Sequence, residues 1–251
     1  MNITVLLPTY NNGNYIKHAV NSILNQTYCY FELLIIDDGS TDETKDLINK
    51  IDDKRIRYIT KEHTGLWDTL NYGLRISKND LIARMDGDDI SLPQRFEKQM
   101  RCLKSHPEID VISSWYAVFE NNIKYVIKTS EKSEEIKRRM LLHSEIVHPG
   151  LIYKRDKILS LGGYSKYKIE DLEFWLRNLN SLSFYNIQEV LTLVRYREDS
   201  NFNSQSKERN REIYSFLDIY QDKYYNQFNL NINTLKGWKE YFYGNKNLVK
   251  T

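Results

Sequence analysis

The chain lacks the features that mark secreted, membrane-spanning and nucleic-acid-binding proteins. Its two cysteines, Cys29 and Cys102, form neither a Cys-x-x-Cys pair nor a disulfide framework, which favours a reducing, cytosolic compartment. No stretch approaches the ~20 apolar residues of a membrane span. The N-terminal apolar run is too short for a signal peptide and has no basic residues before it. The net charge of +2 comes without a basic stripe, so we expect no nucleic-acid partner.

Glycine-rich phosphate-binding loops are also missing. A dinucleotide-dependent oxidoreductase needs Gly-x-Gly-x-x-Gly after its first strand, whereas the run from Pro8 to Gly13 reads Pro-Thr-Tyr-Asn-Asn-Gly. A nucleotidyltransferase is expected to carry a glycine-rich basic loop at the same place. The sequence therefore argues against both classes.

What the first half of the chain does contain is a regular alternation of buried strands and amphipathic helices. The predicted strands are Ile3–Leu7, Phe31–Ile36, Ile56–Ile59 and Leu81–Met85, and the predicted helices run over Tyr15–Leu24, from Ser40 toward Ile51, over Leu66–Ile76 and from Pro93 to about Leu103. Ser40 and Glu43 have the spacing of a capping box. Four strand–helix repeats predict an α/β fold with a mostly parallel sheet covered by helices on both faces. Ligands of such sheets bind beyond the carboxyl ends of the strands.

The pattern changes after about residue 105. The predicted elements there are a strand over Ile109–Phe119, helices over Ser133–Leu142 and Leu172–Leu179, and strands over Phe184–Ile187 and Val190–Tyr196. From about Ser206 the chain is polar with helical patches. Because no repeat or long linker interrupts it, we predict one compact domain with two halves, residues 1–105 and 106–205. A C-terminal extension, residues 206–251, is predicted to be helical.

Three carboxylates follow the fourth predicted strand within four residues, at Asp86, Asp88 and Asp89. They would repel one another unless a cation lies among them, and oxygen ligands of this kind suit Mg²⁺ or Mn²⁺ with a diphosphate completing the coordination. A solvated acidic turn, or a helix cap by Asp89, is the plain structural alternative.

Other polar residues are expected at the same edge of the sheet. Tyr10 follows the first strand, where a nucleotide base could stack on it. Asp38 ends the second strand and could accept the imide N–H of a pyrimidine, although Ser40 and Asp42 beside it also suit helix capping. Asp171, at the start of a later helix, is either a general base or a residue that stabilises the helix dipole.

Taken together, these motifs resemble the family 2 glycosyltransferases over about residues 1–200. The resemblance rests on the order of Pro8-Thr9-Tyr10-Asn11, Asp37-Asp38-Gly39-Ser40-Thr41-Asp42, Asp86-Gly87-Asp88-Asp89 followed by Pro93 and Arg95, Gly162-Gly163-Tyr164, and Glu170-Asp171. It implies a GT-A fold in which residues 1–105 bind a nucleotide-sugar and residues 106–205 bind the acceptor and supply the base. It also implies that one sugar, from a UDP-sugar above all, passes with inversion to a hydroxyl of the acceptor.

The resemblance assigns roles to single residues. The resemblance implies that the nucleotide-sugar is bound by Pro8, Thr9, Tyr10, Asn11, Asp38, Asn71, Asp86 and Arg197. It implies that Asp88 and Asp86 ligate Mn²⁺ or Mg²⁺ and that Asp171 is the general base. His148 and Glu170 are expected on the acceptor side. His148 could instead simply hydrogen-bond a loop. Many relatives carry Arg just before Asn71, where this chain has Leu70. Many also read Tyr-Arg-x-His after the last strand, whereas here Asp199 follows Arg197 and Glu198, so Arg197 is left to bind phosphate.

The resemblance also suggests partners. The acceptor is expected to be a glycan or lipid-linked glycan, such as an O-antigen, capsule or lipooligosaccharide chain, handled in the cytoplasm or at the cytoplasmic face of the inner membrane. The tail either lies on an anionic membrane surface or packs as helices on the domain or between subunits; its aromatic and basic residues are Tyr224, Tyr225, Trp238, Tyr241, Phe242, Tyr243, Lys236, Lys239 and Lys246. A catalytically silent partner subunit is the rival interpretation, against which the acidic residues argue. The sugar, the linkage and the oligomeric state stay open.

Overall fold

One sheet of nine strands runs through the part of the protein that its computed structural model describes, residues 2–197, 207–224 and 227–228. The strands are β1 Ile3–Thr9, β2 Phe31–Asp37, β3 Ile56–Thr60, β4 Leu81–Arg84, β5 Ile90–Ser91, β6 Val111–Phe119, β7 Ile123–Ile127, β8 Ile152–Lys154 and β9 Phe184–Arg195. The helices are α1 Ile16–Leu24, α2 Thr44–Asn49, α3 Leu66–Ile76, α4 Arg95–Ser105, α5 Ser133–Met140, α6 Arg155–Ser160, α7 Glu170–Arg177 and α8 Lys207–Tyr224. A 3₁₀ turn spans His148–Gly150.

The first four strands are parallel in the order β3-β2-β1-β4. Every residue of β1 is buried, because successive side chains point into two separate cores. Leu6 packs with Leu70 and Leu74 of α3 on one face. Val5 and Leu7 pack with α1 on the other face. This arrangement confirms the predicted α/β fold with helices on both faces.

The remaining strands give the second half of the sheet a mixed character. β8 lies antiparallel between β4 and β6, β6 runs parallel to β9, and β5 is antiparallel to β9. β7 forms a hairpin on β6. Because β5 directly follows the acidic turn, its pairing with β9 brings the end of β9 beside the three carboxylates.

Two local predictions need correction. The strands predicted over Phe184–Ile187 and Val190–Tyr196 are one strand, β9, whose register shifts opposite Trp115. The predicted capping box does not form, since α2 begins at Thr44. The Ser40 hydroxyl accepts a hydrogen bond from the N–H of Asn11 instead, and Asp42 accepts the N–H of Thr44.

The C-terminal extension begins with α8, as predicted. Leu217 and Tyr224 of α8 are buried in the core that also contains Leu6 and the α3 leucines. Phe216 packs edge to face on Tyr167, with ring centroids 4.8 Å apart. Tyr224 is only 3% exposed, so for this residue the structure agrees with the alternative that the tail packs on the domain. The remaining tail residues of that prediction lie outside the described residues: Tyr225, Trp238, Tyr241, Phe242, Tyr243, Lys236, Lys239 and Lys246. Among the helices that the structure describes, none combines the length and apolarity needed to cross a bilayer.

Candidate active site

The acidic turn after β4 gathers its three carboxylates in one place. Oxygen atoms of Asp86, Asp88 and Asp89 lie within 4.8 Å of one another. Asp89 is buried and accepts the backbone N–H of Arg195 at 2.8 Å. Asp88 keeps 20% of its side chain exposed and accepts a hydrogen bond from Nη1 of Arg197 at 3.0 Å. The prediction that Asp89 caps a following helix is wrong, because β5 follows it instead.

The electrostatics of this turn fit a cation. Burial, together with the charge of Asp86, raises the pKa of Asp88, although the Arg197 guanidinium opposes the rise. Burial and the charges of Asp88 and Asp86 raise the pKa of Asp89 well above its usual range. Carboxylates that repel one another in this way are stabilised in their ionised form by a divalent ion. The oxygen donor set suits Mg²⁺ or Mn²⁺.

Arg84, the last residue of β4, forms an ion pair with Asp86. Its two terminal nitrogens lie 2.5 Å from the two carboxylate oxygens of Asp86, in a forked ion pair. Arg84 is only 2% exposed. Sequence reasoning missed it, although a single arginine at the end of the apolar run Leu81–Met85 was the available signal.

The loop after β1 forms the neighbouring wall. Pro8 and Thr9 belong to β1 and are buried, and the Thr9 hydroxyl accepts a hydrogen bond from the side-chain amide of Asn12. Asn11 has φ +50° and accepts the N–H of Thr41, which joins this loop to the loop after β2. These predicted donor residues therefore set the shape of the loop.

Tyr10 lies in that loop, and 44% of its surface is exposed to solvent. Its ring stacks on the imidazole of His63, with centroids 4.2 Å apart and planes 26° from parallel. Sequence reasoning overlooked His63, although it follows the third strand and so lies at the ligand-binding edge of the sheet.

Asp38 is buried beneath this aromatic pair. Its carboxylate accepts hydrogen bonds from the Lys61 ammonium at 2.5 Å and from the N–H groups of Thr64 and Gly65, and Nδ1 of His63 lies 2.9 Å from it. Burial alone would raise the pKa of Asp38, but these hydrogen bonds lower it below its usual value. Its carboxylate thus organises the 61–65 loop, and a role in accepting a base N–H stays a prediction.

The second acidic group lies around the start of α7. Nδ1 of His148 is 3.7 Å from Glu170 and 3.9 Å from Asp171, and its Nε2 is 3.1 Å from the hydroxyl of Tyr164. Asp171 is the most exposed of these four residues, with 27% of its side chain accessible. The carboxylate that solvent can reach is therefore the one that was predicted to be the base.

The buried members of this group have displaced pKa values. Burial, reinforced by the charge of Asp171, raises the pKa of Glu170 to about 8, although the Arg84 charge opposes the rise. Burial, followed by the charge of Arg84, holds the pKa of His148 well below 6.5. These shifts favour a neutral imidazole at His148 and a protonated carboxyl at Glu170.

Asn71 connects α3 to this second group. Its side-chain amide donates to the carbonyl of Tyr164 at 2.7 Å and accepts the N–H of Tyr164 at 2.9 Å. Gly163 has φ +65°, and a Cβ there would come within 2.4 Å of the Asn71 side-chain oxygen. With both polar ends used in this way, Asn71 fixes the Gly163–Tyr164 segment. Its predicted contact with the donor stays a prediction.

The predicted site residues thus fall into two groups. Pro8, Thr9, Tyr10, Asn11, Asp38, Asp86, Asp88 and Arg197 surround the loops at the carboxyl ends of β1, β2 and β4, whereas Asn71, His148, Glu170 and Asp171 surround the start of α7. Arg84 contacts the first group directly, and its charge opposes the rise in the pKa of Glu170 in the second group.

Solved structures show the same fold. A crystal structure of S. aureus TarS 1–349 with UDP-GlcNAc has a TM-score of 0.77 at 18% identity, covering 96% of this chain and 73% of that chain. The mannosyltransferase PcManGT from Pyrobaculum calidifontis, solved with GDP-Man and Mn²⁺, has a TM-score of 0.63 at 14% identity, covering 97% of this chain and 76% of the other. These likenesses confirm the GT-A fold.

Sequence comparison identifies the family. An Escherichia coli relative named UDP-Gal:alpha-D-GlcNAc-diphosphoundecaprenol beta-1,3-galactosyltransferase is 32% identical over 88% of this chain and 84% of its own length. Residues 4–172 match the family described as Glycosyl transferase family 2. The chain therefore belongs to glycosyl transferase family 2, and it is a glycosyltransferase.

Proposed function

We propose that this glycosyltransferase moves one sugar from a UDP-sugar to a hydroxyl of a lipid-linked glycan, with inversion at the anomeric carbon. The observation that carries the proposal is the presence of two acidic groups, one at Asp86, Asp88 and Asp89 and one at Glu170 and Asp171 beside His148. The name of the E. coli relative gives UDP-galactose as donor and a GlcNAc-diphosphate lipid as acceptor. A UDP-hexose or UDP-N-acetylhexosamine donor is therefore the first class to test.

Tyr10 and His63 supply the surface for the donor base. Both rings are exposed and lie nearly parallel, and Asp38 holds the loop that carries His63. Stacking on an aromatic ring is worth roughly 1–3 kcal/mol per base in nucleic-acid complexes. Arg197, which donates a hydrogen bond to Asp88, binds the diphosphate in this proposal.

Asp88 holds the divalent ion, with Asp86 and Asp89 beside it. These residues would hold Mn²⁺ or Mg²⁺, which would supply positive charge against the departing nucleoside diphosphate, so that the leaving group would need no protein acid. The more exposed carboxylate of Asp88 leaves room for diphosphate oxygens, whereas Asp86 is held by Arg84 and Asp89 by the N–H of Arg195.

Asp171 is the general base. It takes the proton of the acceptor hydroxyl as that oxygen forms its bond to the anomeric carbon, while the bond from that carbon to the diphosphate breaks and the leaving group keeps the electron pair. Attack from the face opposite the diphosphate inverts the configuration. His148 is neutral and Glu170 buried, so the partly exposed Asp171 is the carboxylate that the acceptor can reach.

A thermal-shift panel of UDP-, GDP-, CDP- and dTDP-sugars, each with Mn²⁺ and with EDTA, tests the donor class. A ligand that binds the folded state alone adds roughly 2.7 kcal/mol at a hundredfold excess over its dissociation constant. We expect a shift with UDP-sugars that EDTA removes and that Tyr10→Ala weakens. No shift with any nucleotide would contradict the donor site. UDP binding without donor hydrolysis or sugar transfer to any acceptor would instead favour a silent partner subunit.

A further inference from the structure

Arg195, the last residue of β9, is a cation beside the acidic turn that forms no ion pair among the residues that the structure describes. Two other arginines contact the turn through ion pairs, Arg84 with Asp86 and Arg197 with Asp88. The side chain of Arg195 instead donates to a backbone carbonyl of the turn. Its positive charge is therefore still available to an anion.

Four contacts fix the position of Arg195. Its backbone N–H donates to the Asp89 carboxylate at 2.8 Å, and its Nε donates to the carbonyl of Asp88 at 2.9 Å. Its guanidinium carbon lies 4.6 Å from the ring centroid of Tyr15 and 4.5 Å from that of Phe119. Aromatic faces at such distances attract a guanidinium. The side chain is thus held in place before a ligand arrives, so that binding one requires little further ordering.

The donors of this guanidinium are mostly unused. Of its N–H groups, the one on Nε has a hydrogen-bond acceptor in the described part of the chain, and those on Nη1 and Nη2 have none there. The latter form a planar fork that matches two oxygens of a phosphate. Arg195 is partly exposed, so a ligand has access to its side chain. Because the carboxylates of the adjacent turn suit a divalent ion that carries a diphosphate, a diphosphate is the anion that this position fits.

We propose that Arg195 binds a phosphate of a diphosphate group at the acidic turn. The inference rests on the proposed function, in which both substrates carry such a group: the nucleotide-sugar donor and the lipid-linked acceptor. The guanidinium carbon of Arg197 lies 5.3 Å from the centroid of the same Tyr15 ring, so the end of β9 presents two guanidinium groups beside one aromatic side chain. Two guanidinium groups match the two phosphates of one diphosphate, or one phosphate from each substrate.

Calorimetric titration with UDP and with farnesyl diphosphate, a short lipid diphosphate, tests the contact and separates its two sources. In Arg195→Met we expect the Kd for at least one of them to rise about tenfold or more, because hydrogen bonds to charged groups contribute that much. A loss with UDP assigns the phosphate to the donor, and a loss with farnesyl diphosphate assigns it to the acceptor. Arg195→Lys keeps the charge without the fork and should lose less. Arg57→Met is the matched control and should stay within about twofold of the wild type, because Arg57 lies on the outer strand β3 and donates to the Ile76 carbonyl.

Each titration is carried out in Mn²⁺ and again in EDTA, because Arg195 also holds the carbonyl of Asp88 and its loss can disturb the ion site. Direct contact with a phosphate lowers the affinity by a similar factor in both conditions. A loss that appears in Mn²⁺ alone would mean that Arg195 acts through the turn, and it would overturn the proposal. Wild-type affinity for both diphosphates in Arg195→Met would overturn it as well. A wild-type protein that binds no UDP in either condition would count against the proposed function itself, so the two failures are distinct.

Discussion

Nη1 of Arg197 donates a hydrogen bond to Oδ2 of Asp88 across 3.0 Å, and this contact joins the end of β9 to the acidic turn. The guanidinium partly neutralises the carboxylate to which we assign the divalent ion. Because Asp199 stands where the family resemblance leads us to expect a histidine two residues after this arginine, Arg197 is the basic residue of the motif that remains. We therefore expect Arg197 to exchange Asp88 for the diphosphate when donor and ion bind.

Replacing Asp88 by Asn removes the charge that we propose holds the divalent ion. We expect UDP to stabilise the wild type more in Mn²⁺ than in EDTA, and we expect this difference to vanish in Asp88→Asn. Thermal unfolding with and without UDP measures it. Asp52→Asn, at an exposed acid between α2 and β3, is the matched control and should behave as the wild type. An undiminished Mn²⁺ effect in Asp88→Asn would place the ion elsewhere.

Replacing Asp171 by Asn tests the general base. A positioned base contributes roughly 10²–10⁴-fold to rate, so kcat for sugar transfer should fall by about that factor. The Kd for UDP in Mn²⁺ should change less than twofold, because Asp171 lies in the group beside α7. Asp222→Asn, exposed on α8, controls for loss of a carboxylate. Turnover near the wild-type value in Asp171→Asn would contradict the assignment.

Glu170 should make stability depend on pH. Burial, with the Asp171 charge, raises its pKa to about 8 from 4.5, so between these values the folded chain binds a proton that the unfolded chain has released. The stability that Glu170 contributes is therefore complete below pH ~4.5 and is lost as pH rises through about 8. Glu170→Gln cannot ionise and should gain stability relative to the wild type over this range, by an amount of order a few kcal/mol. Urea unfolding of both proteins at several pH values measures the difference in their free energies of unfolding. A difference that does not change with pH would mean that folding does not raise the pKa of Glu170.

Gly163 should tolerate no side chain. A Cβ would come within 2.4 Å of the Asn71 side-chain oxygen, which accepts the N–H of Tyr164. Gly162 is a matched control, because it also has positive φ but its Cβ would come no closer than 3.5 Å to Arg177. We expect Gly163→Ala to cost about 1–3 kcal/mol more than Gly162→Ala. Equal free energies of unfolding would mean that the Asn71 contact adds nothing.

The sequence was informative where the signal is local. The buried run that forms β1 and the 3.6-residue period of α3 predicted their positions, and α3 has the predicted bounds, Leu66–Ile76. The rule that ligands bind at the carboxyl ends of parallel strands predicts from the sequence alone that Tyr10 and Asp88 lie at one edge of the sheet. The same rule applies to His63, because this residue follows the third strand of the parallel part of the sheet.

Sequence reasoning failed where a contact is distant and carries no periodic signal. β5 has two residues, Ile90 and Ser91, and exists because β9 pairs with it, so no window of sequence around it could predict a strand. The hydroxyl of Ser40 has its partner in Asn11, 29 positions away, and this long-range contact replaces the local cap.

The 109 positions between Asp88 and Arg197 matter during protein synthesis. At about 5–20 residues per second, the acidic turn leaves the ribosome roughly 5–20 seconds before the arginine that compensates it. Until β9 pairs with β5, the nascent chain carries three crowded carboxylates with no guanidinium from Arg197 beside them. The site that we propose for the donor is therefore complete only once the chain has been translated as far as Arg197, and a shorter chain released early lacks the contact between Arg197 and Asp88.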